Sequence, residues 1–420
     1  MDFFVIKIDI FYFNFFFIYL IGENMIIVGV LILIISGIYF NIKLKFKHLN
    51  IIKALKIIIR KESGISSFQS LCISLASRIG VGSLSGIILA IYIGGIGSIF
   101  WMWVITLICS SNTMIESMLS IKYRNKKNEG GPFYYIGIFS NKMAFCYALI
   151  FIVAYLGGFL TIQSNTIAKV LSINPIITGL VIVLFTSLVI FKGLKGIANT
   201  VSKIIPFVAI IYIIFCLLII FKNINMIGNI IISIINNAFN IKSFIVGSTK
   251  AIFSTEAGIG TGAIASATSS NSNPNEQGLV QVFGIFFDTF VVSTLTAFVV
   301  ILSPVIDLNI PNLNGIELTR YAFIYHLGGI GSLILILSII LFAYSTIISG
   351  YYYLEVALKY VTKKEKMFNL KLITIVLLFI STIISPSFMW NYIDIFVCIL
   401  AIINTISLIM LRKKVFNDKI

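Results

Sequence analysis

The sequence predicts an all-α integral membrane protein of eleven transmembrane helices, or twelve if residues 3–22 also cross, built as a five-plus-five inverted repeat with two discontinuous helices. Three observations carry this reading. Of the 420 residues 59% are apolar and only 11% charged, against about 25% charged in soluble domains, and the mean hydropathy is +1.06. Apolar runs long enough to cross a hydrocarbon core as helices recur from end to end, without the strict alternation a membrane barrel needs. Two of these runs are interrupted by glycine and hydroxyl residues, "SRIGVGSLSG" at 77–86 and "FSTEAGIGTGAIAS" at 253–266.

Taken in order, the apolar runs predict helices near 26–42, 66–93, 98–121, 143–169, 175–191, 204–222, 248–269, 278–303, 329–357, 370–385 and 389–410. The interruptions fall in the second and seventh spans. The second interruption comes five spans after the first, and because five is odd the second set of five runs in the opposite sense. This divides the chain into residues 25–62, a peripheral first helix with a basic cytoplasmic loop; residues 63–222, the first repeat; and residues 223–420, the second repeat and a cytoplasmic C-terminus. Residues 1–24 read as an N-terminal extension ahead of Met25 or as an extra span. They have neither the basic start nor the small-residue cleavage site of a secretory signal. The loop at 122–136, "KYRNKKNEGGPFYYI", reads as a re-entrant or interfacial turn, and the polar segment 303–323 as a cap on the outer face.

The formal charge of +16 is explained by topology. Lys and Arg cluster at 43–61, 122–127, 192–203, 359–371 and 412–419, all in alternate gaps between spans, which is the positive-inside pattern of a multi-pass cell-membrane protein. No nucleic-acid partner is needed; lipid is the expected surrounding. Cys72, Cys109, Cys146, Cys216 and Cys398 lie in apolar segments without CxxC spacing and read as packing residues. His48 and His326 fall in gaps. No nucleophile–base pair, carboxylate dyad or metal triad emerges, so an enzyme is not expected, nor any organic cofactor.

A broken helix in lipid leaves peptide groups that cost several kcal/mol each unless something satisfies them. Paired breaks in two inverted halves point to a solute site at mid-membrane. Half-helix N-termini suit a carboxylate, and freed carbonyls suit a hard cation such as Na+. Close helix packing through small-xxx-small spacing is the competing explanation of the glycines. A nucleotide loop is excluded because no strand precedes "GVGSLSG". Ionisable residues inside spans are functional candidates. Glu256 and Asp288 divide evenly between structural pairing, with Arg78 as one partner, and an ion or gating role. Glu116 and Glu355 read as structural partners of interfacial Lys or Arg. Gln163 and Asn165 bond either a substrate or another helix.

The stretches "GISSFQSLCISLASRIGVGSLSGIILAIYIGGIGSIFWMWV" (64–104), "EGGPFYYI" (129–136), "QSNTIA" (163–168), "STEAGIGTGAIASA" (254–267), "QGLVQVFGIFFDTFVVSTLTAFVVIL" (277–302) and "FAYSTIISGYYYLE" (342–355) resemble, in order, the alanine or glycine:cation symporter family. The resemblance implies a leucine-transporter-like fold and Na+-driven uptake of a small neutral amino acid. It implies that backbone N–H groups at Gly80, Val81, Gly82 and Ser83 hold the amino-acid carboxylate. It also implies that the second break, through Phe253, Ser254, Thr255 and Gly258, meets the amino group and side chain. Na+ would then sit among the carbonyls of Ala76, Ile79 and Phe342 and the hydroxyls of Ser345 and Thr346. The chain departs from the family where Ser83 and Thr255 replace Asn, and near Ala263 and Ser266, where Pro and His are replaced. Three readings stay open: the symporter; a related transporter with shifted specificity or proton coupling; and a non-transporting membrane sensor.

Overall fold

The computed structural model describes residues 25–304, 315–385 and 387–416, with backbone alone for 387–392. The expected extension at 1–24 and the middle of the outer cap, 305–314, lie outside the described residues. Every described element is helical, and each of the predicted intervals is occupied by helix.

The chain opens with α1 (Met25–Leu44) and a short α2 (Ile51–Ile58). The first broken segment is α3 (Ser67–Arg78) followed, at an angle of 51°, by α4 (Gly82–Gly94). α5 spans Ser98–Tyr123, and α6 is the single turn Pro132–Ile136. α7 is Asn141–Leu171, α8 Pro175–Ile190, α9 Gly193–Lys222 and α10 Ile224–Asn236. The second broken segment is α11 (Ile241–Thr255) and the short α12 (Thr261–Ala267). α13 (Pro274–Ile301) follows. α14 (Gly315–Thr362) is kinked at Gly328 (φ 61°, ψ −145°), and α15 (Phe368–Ile383), α16 (Ser387–Met410) and α17 (Arg412–Phe416) complete the fold.

Among the described residues, seven helices are long and apolar enough to cross a membrane, nine if each of two bent pairs is one crossing; α8 and α15 are shorter apolar helices. Three boundaries differ from expectation. α9 begins at Gly193, because Ile197, Ala198 and Val201 form a buried stripe within a segment whose lysines read as loop. α10 was unforeseen: its asparagines suggest a loop, yet Ile230 and Ile234, one turn apart, are buried. It meets α11 at 106°. His326 is part of α14 and not of a loop; its ring Nε2 lies 3.1 Å from the Val299 carbonyl.

α5 packs along α11, α12 and α13, while α3 lies between α9, α12 and α14; α15 packs on α7 and α8. The two broken segments thus sit inside the bundle. Its outer surface carries Leu180, Leu184, Leu188, Phe207, Ile210 and Ile214, each about half exposed, an apolar belt suited to lipid and not to water. The basic clusters gather at one end. There Lys127 pairs with Glu365 and Lys359 bridges Glu129 and Glu355, both at 2.8 Å; Lys122 donates to the Lys414 carbonyl; and Arg60 meets Glu276 at 2.9 Å. Glu355 has the cationic partner expected of it. Cys146 is exposed, unlike the other four cysteines, so it is not a packing residue.

Candidate binding site at two broken helices

α3 ends because Ile79 leaves helical geometry (φ −79°, ψ 73°) and the Gly80 N–H turns back onto the Arg78 carbonyl at 2.9 Å. Helix resumes through a π turn at Gly82–Gly86. Gly80 is required sterically: a Cβ there would lie 2.7 Å from Thr346 Oγ1 and 3.2 Å from Gln163 Nε2. The second break turns on left-handed residues, Glu256 (φ 52°), Gly258 (φ 76°) and Gly260 (φ 93°). A non-glycine in that region is uncommon. Glu256 is held there by Ser77 Oγ at 2.9 and 3.0 Å and by the Tyr155 hydroxyl at 3.2 Å.

The peptide groups freed by the breaks are taken up by side chains from other helices. Thr346 Oγ1 of α14 lies 2.7 Å from the Ala76 carbonyl; within α14 itself the same hydroxyl and Ser345 Oγ lie 2.9 and 2.8 Å from Phe342 O. In the second break Arg78 Nε donates to Thr255 O at 2.8 Å, Asn404 Nδ2 to Gly258 O at 2.9 Å and the Tyr147 hydroxyl to Ile259 O. Arg124 Nη1 caps α12 at Ala267 O, 2.9 Å away. This is how irregular backbone survives at membrane depth.

A second carboxylate, after Glu256, joins the breaks. Asp288, fully buried and set on the π turn Phe287–Ser293, accepts from Ser83 Oγ at 2.6 Å and from Ser254 Oγ at 2.9 Å. The two hydroxyls are themselves 3.2 Å apart. A cavity of about 20 Å³ lies beside this junction, lined by Gly80, Val81, Gly82, Gln163, Phe253 and Glu256 among others; about one water fills such a volume. Gln163 Oε1 accepts from the Val81 N–H at 3.3 Å. Phe253 stacks on Phe159 with centroids 5.8 Å apart. Lys250 lies over the far side, 5.5 Å from the Phe253 ring and 3.0 Å from Asp394.

Most of the expected site residues therefore converge. Gly80, Val81, Gly82, Ser83, Gln163, Phe253 and Ser254 surround the cavity or its Asp288 neighbour, and Ala76, Phe342, Ser345 and Thr346 bring their oxygens together behind Gly80. The Thr255 and Gly258 carbonyls face Arg78 and Asn404 instead. Asn165 points elsewhere: its Nδ2 donates to Ser381 O on α15 at 2.8 Å, and it lines a separate cavity of about 430 Å³ with Ser85, Lys169, Glu317 and Arg320, remote from the basic end. Glu116 has no interfacial cation among the described residues; it is fully buried, accepts from Asn404 Nδ2 at 3.0 Å and feels the charge of the buried Arg78. Sequence reasoning missed Tyr155, Phe159, Asn404 and the Lys250–Asp394 pair. An amide in the apolar run "AIINTISLIM" was the available signal for Asn404.

The sodium:alanine symporter family matches residues 16–419. The chain is 32% identical to the probable sodium/glutamine symporter GlnT of Bacillus subtilis (92% of this chain, 86% of that protein). It is 31% identical to the sodium/alanine symporter AgcS of Methanococcus maripaludis (91% of each). The crystal structure of MhsT in complex with L-phenylalanine superposes with a TM-score of 0.64 at 11% identity, over 84% of this chain and 90% of that one, so the helical fold is shared. On sequence and fold together, the chain belongs to the sodium:alanine symporter family.

Proposed function

We propose that the protein is a secondary active transporter of the cell membrane that couples Na+ to the uptake of a small neutral amino acid, alanine or glycine, by alternating access. In this reading eleven spans cross the membrane, the basic end and the C-terminus are cytoplasmic, and spans two to six and seven to eleven are inverted repeats. The observation that carries it is the meeting of both breaks at one small cavity, with their backbone groups held by side chains and not by helix.

The amino-acid carboxylate takes the N–H groups of Val81, Gly82 and Ser83, and that of Gly80 once it leaves the Arg78 carbonyl; at Val81 the Gln163 amide oxygen now occupies the place of a carboxylate oxygen. Phe253 and Ser254 face the amino group and side chain, Thr255 and Gly258 hold the bend behind them, and Asn165 belongs to the approach route. Na+ takes the oxygens of Ala76, Ile79, Phe342, Ser345 and Thr346, a set of carbonyls and hydroxyls suited to a hard cation. Ion binding then orders the unwound backbone that receives the carboxylate, and the coupling is reciprocal. The ion pairs that tie the basic end together and the cavity of about 430 Å³ lined by Ser85, Asn165 and Arg320 support an outward-facing, nearly closed state.

Radiolabelled alanine and glycine uptake into proteoliposomes, with and without an inward Na+ gradient, tests this; uptake indifferent to Na+ removes the ion assignment. Proton coupling is a second reading, favoured by three buried carboxylates, Glu116, Glu256 and Asp288, each interacting with the buried Arg78; uptake driven by a pH gradient without Na+ would select it. Two further outcomes are expected. Phe253→Ala removes a wall of the cavity and shifts preference toward larger side chains, read as a leucine-to-alanine kcat/KM ratio raised about tenfold. Lys250→Ala frees Asp394 and unseats Phe253, raising KM about three- to tenfold with kcat retained.

A further inference from the structure

We propose that the cavity enclosed by α1, α2, α5 and α13 at the basic end is a binding site for the headgroup of an anionic phospholipid. It measures about 660 Å³, and its wall includes Lys47, His48, Lys53, Asn275, Met114 and Leu279. None of its lining residues lines the cavity at the breaks, and the proposal is independent of the transport reading.

The chain builds this cavity deliberately. Lys45 and Phe46 both take left-handed backbone (φ 51° and 57°), which folds the end of α1 over onto α2. The Asn50 side chain caps α2 by accepting from the Lys53 N–H at 2.9 Å. α2 buries Ala54, Ile57 and Ile58 and leaves Ile52 70% exposed, so it lies along the membrane interface with Lys53 and Lys56 at headgroup level.

His48 is the observation that calls for a ligand. Only 2% exposed, it lines the cavity, and neither ring nitrogen has a hydrogen-bond partner among the described residues; the buried Asn275 Oδ1 is likewise unpartnered. Buried polar groups are normally satisfied, and each exception calls for an explanation. Burial lowers the His48 pKa to about 4, so at neutral pH the ring offers one N–H and one acceptor nitrogen. The nearby positive charge comes from Lys47 and Lys53. A phosphodiester supplies acceptor oxygens for that N–H and for both ammonium groups, and the hydroxyls of a glycerol headgroup supply donors for the other ring nitrogen and for Asn275 Oδ1.

Polarity also changes with depth. The lysines stand at the surface, whereas Met114 lies about 13 Å up α5 from its end at Tyr123 at 1.5 Å per residue, and Leu279 faces the same space. A free anion would leave that deeper apolar wall bare; an acyl chain covers it. Juxtamembrane lysine clusters beside an amphipathic helix recognise anionic lipid, and here they flank a formed cavity.

The test is native mass spectrometry and thermal unfolding of the purified full chain with phosphatidylglycerol, phosphatidylcholine or inorganic phosphate. The expected result is selective retention of phosphatidylglycerol with a raised Tm, and no effect of phosphatidylcholine or phosphate. Lys47→Ala/Lys53→Ala is expected to cut retention about tenfold. Lys56→Ala/Lys61→Ala, which removes the same charge outside the cavity, retains the lipid. His48→Gln, which keeps a donor and an acceptor, falls between these. Equal retention by the two double variants, or equal stabilisation by phosphatidylcholine or by phosphate, overturns the proposal.

Discussion

Alanine at Gly80 is expected to abolish Na+-driven uptake, lowering kcat/KM by at least about 10²-fold while the purified protein keeps its helical content and detergent-resistant fold. The added methyl group would lie 2.7 Å from Thr346 Oγ1, too close for any real Cβ contact. Either Thr346 rotates away from the Ala76 and Phe342 carbonyls, or the unwound segment shifts toward the cavity. Both outcomes disrupt the oxygens assigned to Na+ and the Val81 N–H assigned to the carboxylate. Stability changes less, because the segment is already outside regular helix and α3 is held elsewhere: Ser66 and Gln69 form a capping box at its start, and Glu62 accepts from the Ser67 N–H at 2.6 Å. Proteoliposome uptake together with circular dichroism separates the two effects. A Gly80→Ala variant with normal Na+-dependent uptake removes both assignments at this break.

Asp288 carries the second large effect. Its two oxygens each accept from a different broken helix, Ser83 on one and Ser254 on the other, so it ties the two together, and in the proposed function it is the charge expected to favour a cation at the breaks. Hydrogen bonds to a buried charge contribute about 1.5–3 kcal/mol each. Asp288→Ala leaves both hydroxyls without that acceptor and is expected to lower uptake about 10²-fold or more. Asp288→Asn keeps size and partial hydrogen bonding but removes the charge. Its expected signature is a raised Na+ half-saturation concentration with a smaller loss of maximal rate, measured by uptake against external Na+. If the Asn variant matches wild type in Na+ dependence, the carboxylate is a structural strut alone.

How much of this was legible depended on whether a signal was local. The breaks were, because "RIGVGSLSG" and "TEAGIGTG" put glycine and hydroxyl residues where lipid-facing helix has no use for them. The notion of two facing halves followed from counting spans. The hydroxyls proposed for Na+ were not: Ser345 and Thr346 are ordinary membrane-helix residues by themselves, and only the family resemblance singled them out. Their nearness to Ala76, 270 residues away, is a tertiary fact. Lys250 and Asp394 likewise read as two isolated charges. Glu116 was misjudged because it stands near the end of an apolar run, whereas α5 continues to Tyr123 and the second break folds against it, so it bonds Asn404 and no interfacial cation. The π turns at Ala154–Phe159 and Phe287–Ser293 were invisible, since an inserted residue changes helical phase without changing composition. Yet they aim Tyr155, Phe159 and Asp288 at the site, a frequent use of π geometry.

The most direct measurement is equilibrium binding of radiolabelled alanine and glycine to the purified protein, titrated against Na+ at constant ionic strength. If two broken helices share one cradle for solute and cation, the affinity for at least one of these amino acids rises with Na+, the affinity for Na+ rises with that amino acid by the same factor, and Gly80→Ala loses both. Tight binding of either amino acid that ignores Na+, or binding that survives intact in Gly80→Ala, contradicts the account.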